Sequence, residues 1–153
     1  MKLSSGAKIL AVTLSSKERD YDGDDYPELA DELSKRGFEV IRMTNPTHYR
    51  VKEVVNEVDA VFVCSYITPT NGTGSSLKLG WSNLMTFRRC YILQNRNMIF
   101  IFFGDLYKPV ELPFIKTYVN SYYNSHSVVN ATLDACFGNT EFKGVSPVKI
   151  PER

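Results

Sequence analysis

The sequence predicts an α/β domain: a three-layer αβα sandwich whose mainly parallel sheet has five to six strands in a flavodoxin-like topology. Three observations predict it. Short apolar runs alternate with amphipathic helical patterns along the whole chain, which is the signature of strands joined by helical crossovers. The runs at 8–14, 60–64 and 98–103 are apolar at nearly every position, as expected of strands covered on both faces. Two of the helical stretches open on capping residues, Asp25 and Ser125, and close on glycines, Gly37 and Gly138.

The elements follow in order. Lys8–Leu14 forms a first buried strand. Asp25 caps the next helix, with Glu28 three residues on and Pro27 in the first turn; Leu29, Ala30 and Leu33 share one face, and Gly37 ends it. Phe38–Met43 is a second strand. A helix over Tyr49–Glu57 gathers Val51, Val54, Val55 and Val58 on one side. Ala60–Cys64 is the third strand, followed by the loop 65–76, a helix over Leu79–Gln94, and the most apolar strand, Met98–Phe103. Thr117–Tyr123 is a fifth, more polar strand. Ser125 caps a helix over Ser127–Phe137 that Gly138 stops. The chain then runs into an extended tail, Phe142–Pro151, bracketed by prolines that suit an edge strand or a strap.

With 153 residues, no internal repeat and no linker, residues 1–153 read as one domain. Eighteen basic residues against 17 acidic ones give a net charge of +1, so no polyanion-binding surface is indicated and nucleic acid is not an expected partner. No apolar run approaches the roughly 20 residues that cross a bilayer, so no membrane is expected either. Cys64, Cys90 and Cys136 are odd in number and far apart, which supports neither a disulfide framework nor a metal site and fits buried free thiols. Localisation stays open: no export signal is read, and reduced thiols fit the cytoplasm if the chain is complete.

In open α/β sheets ligands bind at the carboxyl ends of the strands. The loop after the first strand, SSKERDYDGDD, has neither a dinucleotide fingerprint nor a P-loop, and no cofactor is expected. Asp20, Asp22 and Asp24 imitate the start of a calcium loop, but Asp25 stands where the obligatory glycine belongs. Asn71-Gly72-Thr73-Gly74 is the best candidate ligand loop, because its glycines allow backbone N–H groups to face an anion or a sugar. Asn71 and Asn130 also sit in glycosylation sequons. His48 and His126 lack a nucleophile in a recognisable motif, and Asp105, Glu111 and Asp134 cannot be paired by sequence. Read from residues alone, this is an α/β domain without a visible active site, and a free-standing binding module for a small sugar or anion is one reading of it.

The last third carries a resemblance. Gly104-Asp105-Leu106-Tyr107 after a buried strand, Tyr122 and Tyr123 at a strand end, and Ser125, Ser127, Val128 and Ala131 opening a helix closed by Phe137-Gly138 follow a common order. The tail adds Gly144, Pro147, Val148, Ile150 and Pro151. Together these resemble the C-terminal α/β sandwich domain of glycoside hydrolase family three, in its β-N-acetylhexosaminidase-like branch. Val145-Ser146 stands where that pattern has a basic residue and a leucine, and GDLYKPVEL is a loose form of its turn.

The resemblance implies an accessory domain that packs on and rims an N-terminal (β/α)8 barrel, a partner these residues do not include. The barrel would carry the catalytic aspartate of a retaining hydrolase acting on β-linked N-acetylglucosamine. It implies no catalytic residue in this chain. The 66–76 loop, with Asn71, Gly72, Thr73, Gly74 and also Asp105, would lie near a saccharide in the cleft.

Overall fold

The computed structural model of the chain describes residues 1–14, 28–65, 97–103, 115–123 and 125–146. Five strands form one sheet: β1 (Lys8–Leu14), β2 (Glu39–Thr44), β3 (Ala60–Ser65), β4 (Met98–Phe102) and β5 (Tyr118–Asn120). Their order is β2-β1-β3-β4-β5, and every pairing is parallel. This is the expected flavodoxin-like order, with β1 and β3 side by side where the winding reverses.

Side-chain alternation along the strands builds two cores. Ile9 and Ala11 of β1, Ala60, Phe62 and Cys64 of β3, and Ile99 and Ile101 of β4 face one side. There they meet Leu29, Ala30 and Leu33 of α1 (Glu28–Lys35) and Val129, Leu133 and Cys136 of α3 (His126–Phe137). Leu10, Val12, Leu14, Val61, Val63, Phe100 and Phe102 face the other side. They are met by Val51 of α2 (His48–Val54), by Val55 and by Val58. Burying both faces of β1, β3 and β4 accounts for their uninterrupted apolar sequences.

The helix ends follow local chemistry. Ser125 Oγ accepts from Val128 N–H and Thr47 Oγ1 accepts from Arg50 N–H, each at 3.4 Å, so both helices start on a hydroxyl cap. Helices α1 and α3 end alike. Gly37 and Gly138 adopt φ of +87° and +82°, and each end closes with a pair of bonds. Gly37 N–H donates to Ser34 O and Phe38 N–H to Leu33 O; Gly138 N–H donates to Ala135 O and Asn139 N–H to Asp134 O.

Two elements differ from expectation. The helix read as Tyr49–Glu57 is α-helical only to Val54 and tightens to a 3-10 turn over Val55–Glu57 before Val58 turns extended. The fifth strand, expected over Thr117–Tyr123, keeps three ladder residues, because the chain turns sharply at Ser121–Tyr123. Asp25, the helix over Leu79–Gln94 and Cys90 lie outside the described residues.

Candidate functional site

The carboxyl edge of the sheet is where a ligand crevice belongs, and its floor is polar although the strands below it are not. Thr13, Thr44 and Cys64 stand in register across β2, β1 and β3, with Leu14 beside Ser65 one position on. Cys64 Sγ lies 3.5 Å from Thr13 Oγ1, a weak thiol-to-hydroxyl bond inside the sheet. Thr13, Thr44, Asn45 and Ser65 are all buried. Backbone bonds from Asn45 N–H to Thr13 O and from Phe103 N–H to Ser65 O carry the ladders to this rim, at 2.9 and 3.0 Å.

The rim also holds the two non-glycine residues with positive φ among those described, Asn45 at +44° and Tyr122 at +58°. They follow the two outer strands, β2 and β5. Asparagine tolerates that region through local hydrogen bonding, whereas a tyrosine there is held by its surroundings. Tyr123 N–H donates to Ser121 O across Tyr122 at 2.6 Å, and Ser121 Oγ pairs with Thr132 Oγ1 of α3 at 2.7 Å. The turn throws Tyr122 and Tyr123 out to solvent. The two tyrosines expected at a strand end therefore stand just past it.

The candidate ligand loop Asn71, Gly72, Thr73 and Gly74 lies outside the described residues, and so do Asp105, Glu111 and the aspartates at 20, 22 and 24. Asp134 is described and serves another purpose. Its Oδ1 accepts from Arg36 Nη1 at 2.7 Å, joining α3 to α1, and the guanidinium beside it holds its carboxyl below the usual aspartate range. Arg36 Nη2 also reaches Asn130 O and Oδ1 at 3.3 and 3.2 Å, and its guanidinium lies 6.0 Å from the Phe137 ring centre. Asn130 thus lies on a helix with its amide oxygen engaged by Arg36.

Glu32 belongs to the same seam. It is buried beside Lys35 Nζ at 2.5 Å and His126 Nδ1 at 3.7 Å, and the Lys35 hydrogen bond draws its carboxyl below the ordinary glutamate range. His126 Nε2 meets Asn130 Nδ2 at 3.2 Å, and the His48 ring sits 3.9 Å from that of Tyr49. Cys64 and Cys136 are buried free thiols, and burial pushes Cys136 up to about 11, away from nucleophilic chemistry. Among the described residues no cluster of histidine, cysteine and carboxylate groups could hold a metal, and no helix is long and apolar enough to cross a membrane.

One concave feature was not legible in the sequence. A groove of about 600 Å³ runs between β5, the outer flank of α3 and the chain at 140–146. It forms because β5 is the last of the described strands and α3 folds back beside it, a juxtaposition that sequence spacing does not display. The hydroxyl-ended strands AVTL and FVCS were the available signal for the polar rim.

Fold and rim together define a doubly wound parallel α/β sandwich with a polar rim at the strand carboxyl ends. Comparison with solved structures narrows this. The chain aligns with a glycoside hydrolase family 3 β-N-acetylglucosaminidase from Paenibacillus sp. str. FPU-7 at a TM-score of 0.68 and 17% identity, over 94% of this chain and 27% of that one. It aligns with a β-glucoside phosphorylase, BglX, bound to 2FGlc at 0.71 and 21% identity, over 95% of this chain and 26% of that one. A fungal multi-domain family 3 β-N-acetylglucosaminidase gives 0.67 at 17% identity, over 99% of this chain and 16% of that one. The chain therefore spans about a quarter or less of the solved chains it matches, and it has the fold of that part of these enzymes. No family model and no curated protein matches its sequence.

Proposed function

We infer that this chain serves as the accessory α/β domain of a family 3 glycoside hydrolase of β-N-acetylhexosaminidase or β-glucosidase type. It packs on and rims a (β/α)8 barrel that does the bond-breaking. The observation that carries this is the coverage: nearly the whole chain aligns, yet only about a quarter or less of each solved enzyme is accounted for. A sandwich of this size, found as a part of much longer chains, needs a partner to complete such an enzyme. The side-chain chemistry agrees. The described carboxylates Glu32 and Asp134 are committed to structural pairs across the α1–α3 seam, and the polar rim offers hydroxyls and amides, groups suited to orienting a sugar rather than cleaving it.

In this reading Asn71, Gly72, Thr73, Gly74 and Asp105 border the saccharide. The barrel supplies the nucleophile of a retaining, two-step hydrolysis. The test has two arms. The purified chain is assayed on 4-nitrophenyl β-N-acetylglucosaminide and on the matching β-glucoside, then mixed with a separately expressed family 3 barrel domain and analysed by gel filtration and melting. No turnover alone, with co-elution and a raised melting temperature on mixing, is the expected result. Turnover by the chain alone sinks the accessory role, and failure to associate with barrels of either branch sinks the partner.

A further inference from the structure

A polar stripe joins α1 to α3 beside their shared apolar core. Helix α3 contributes His126, Asn130 and Asp134, which its spacing of four residues aligns along one side. Helix α1 contributes Glu32 and Lys35, and Arg36 follows at its end. Arg36 anchors the stripe: Nη1 donates to Asp134 Oδ1 at 2.7 Å and Nη2 to Asn130 Oδ1 at 3.2 Å.

That second bond sets the hydrogens all the way to the helix start. A guanidinium only donates, so the amide oxygen of Asn130 faces Arg36 and its NH2 group faces His126. The 3.2 Å contact between Asn130 Nδ2 and His126 Nε2 therefore donates from amide to ring, and Nε2 is the bare nitrogen. The neutral imidazole then carries its hydrogen on Nδ1, which lies 3.7 Å from Glu32 Oε1. That gap is too long for a hydrogen bond. Glu32 is buried, and the Lys35 bond holds its carboxyl below the ordinary glutamate range. It is an anion wherever an imidazole changes charge.

We propose that His126 is a proton-operated latch between the two helices: neutral, it is held by Asn130; protonated, it lets Asn130 go and closes on Glu32. Uptake of one solvent proton on Nε2 leaves two N–H groups facing each other. Asn130 cannot turn its oxygen round without setting its NH2 against Arg36. His126 is also the first residue of α3, where the helix end disfavours a cation. The ring escapes both by swinging toward α1, where closing the gap to about 2.8 Å makes a charge-assisted bond.

The other charges of the seam are placed to permit this. Glu28, one turn before Glu32, adds a carboxylate whose Oε2 is buried without a hydrogen-bond partner. Lys35 opposes the move by sharing Glu32 Oε1, whereas Arg36 is drawn off by Asp134 and Asp31 by Arg42. The Ser125 and Ser127 hydroxyls hold each other at 3.1 Å. The His126 side chain is 64% exposed, which gives it solvent protons and room to swing. This inference concerns the α1–α3 seam and stands whether or not a barrel is the partner.

Nitrogen-15 NMR of the imidazoles in the full chain tests it, and with two histidines His48→Gln completes the assignment. At about pH 8 the neutral His126 ring should carry its hydrogen on Nδ1. On titration to about pH 5, the Asn130 side-chain amide should shift with the same midpoint as His126. Nuclear Overhauser contacts from the ring to the Glu32 methylenes should strengthen in step. Glu32→Gln should remove that gain while the Nδ1 hydrogen stays in place. Asn130→Ala should do the reverse, letting the hydrogen appear on Nε2 while the acid-side approach to Glu32 persists. A hydrogen on Nε2 in the unsubstituted neutral chain, or an Asn130 amide indifferent to the titration of His126, overturns the proposal. An acid-side contact that survives Glu32→Gln overturns it in favour of a ring that moves without an ionic partner.

Discussion

Helix α3 has two flanks that were given opposite treatment. The flank toward α1 is closed. Val129, Leu133 and Cys136 are buried in the shared core, Asn130 and Asp134 hold Arg36, and Phe137 stacks 5.2 Å from Phe38 and 5.8 Å from Phe62. The flank toward β5 is open. Val128 and Ala135 are half-buried, Ala131 is exposed, and beyond them lies the groove. The lesson is about residue size. The closed flank adds Leu133, Phe137 and a forked guanidinium, whereas the open one presents Val128 and two alanines to the groove.

Substitutions along the helix sharpen that contrast. The largest effect is expected at Leu133→Ala, which empties a fully buried position and should lower unfolding free energy by about 2–5 kcal/mol in urea titration. Val128→Ala on the open flank should cost under about 1 kcal/mol. Equal losses at the two positions would erase the distinction. Next comes Arg36→Ala, which removes the Asp134 pair, the Asn130 bonds and the cover over Phe137. A loss of about 1–2 kcal/mol is expected, with most of it retained in 1 M salt because the guanidinium is mostly buried.

Gly138→Ala should cost about 1 kcal/mol, as should Gly37→Ala. A Cβ at either site meets nothing within 4 Å, so only the left-handed backbone is penalised. Unequal values from thermal melts would show that one cap is constrained by more than its φ.

The smallest effect is in the pH response. Glu32 and Asp134 both titrate lower in the folded chain than their ordinary values of about 4.3 and 3.9. Depressed carboxylates bind fewer protons folded than unfolded, so their stabilisation is present above those values and is lost as the pH falls through the folded ones. Acid titration of stability should therefore show a decline that starts near pH 4–5, and Asp134→Asn should flatten part of it.

Much of the fold was legible because it is written locally. Gly37 and Gly138 stop their helices, Ser125 starts one, and the doubly apolar strands lie in the centre of the sheet. Both stretches that came out shorter than expected are governed by tertiary geometry. β5 ends where Ser121 bonds across to Thr132, and α2 gives way to a tighter turn that delivers Val58 to the core. The polar rim was half legible, since threonine and serine end apolar strands in plain view, but their assembly in one row depends on strand order. The place of β5 as the last of the described strands was not legible at all. Being last in the sheet is a property of the assembled topology, and no residue in Tyr-Val-Asn announces it.

The parallel register of β1 also has a consequence in time. Ile9 pairs with Val40 on one side and with Ala60 on the other, so this inner strand finds its partners only after long crossovers have closed. On a ribosome moving at about 5–20 residues per second, the apolar stretch ending at Leu14 waits roughly 3–10 seconds for Ser65 to be made. During that interval a strand buried from Ile9 to Leu14 in the finished molecule lacks its β3 neighbour. Until β3 arrives, β1 can pair only with β2.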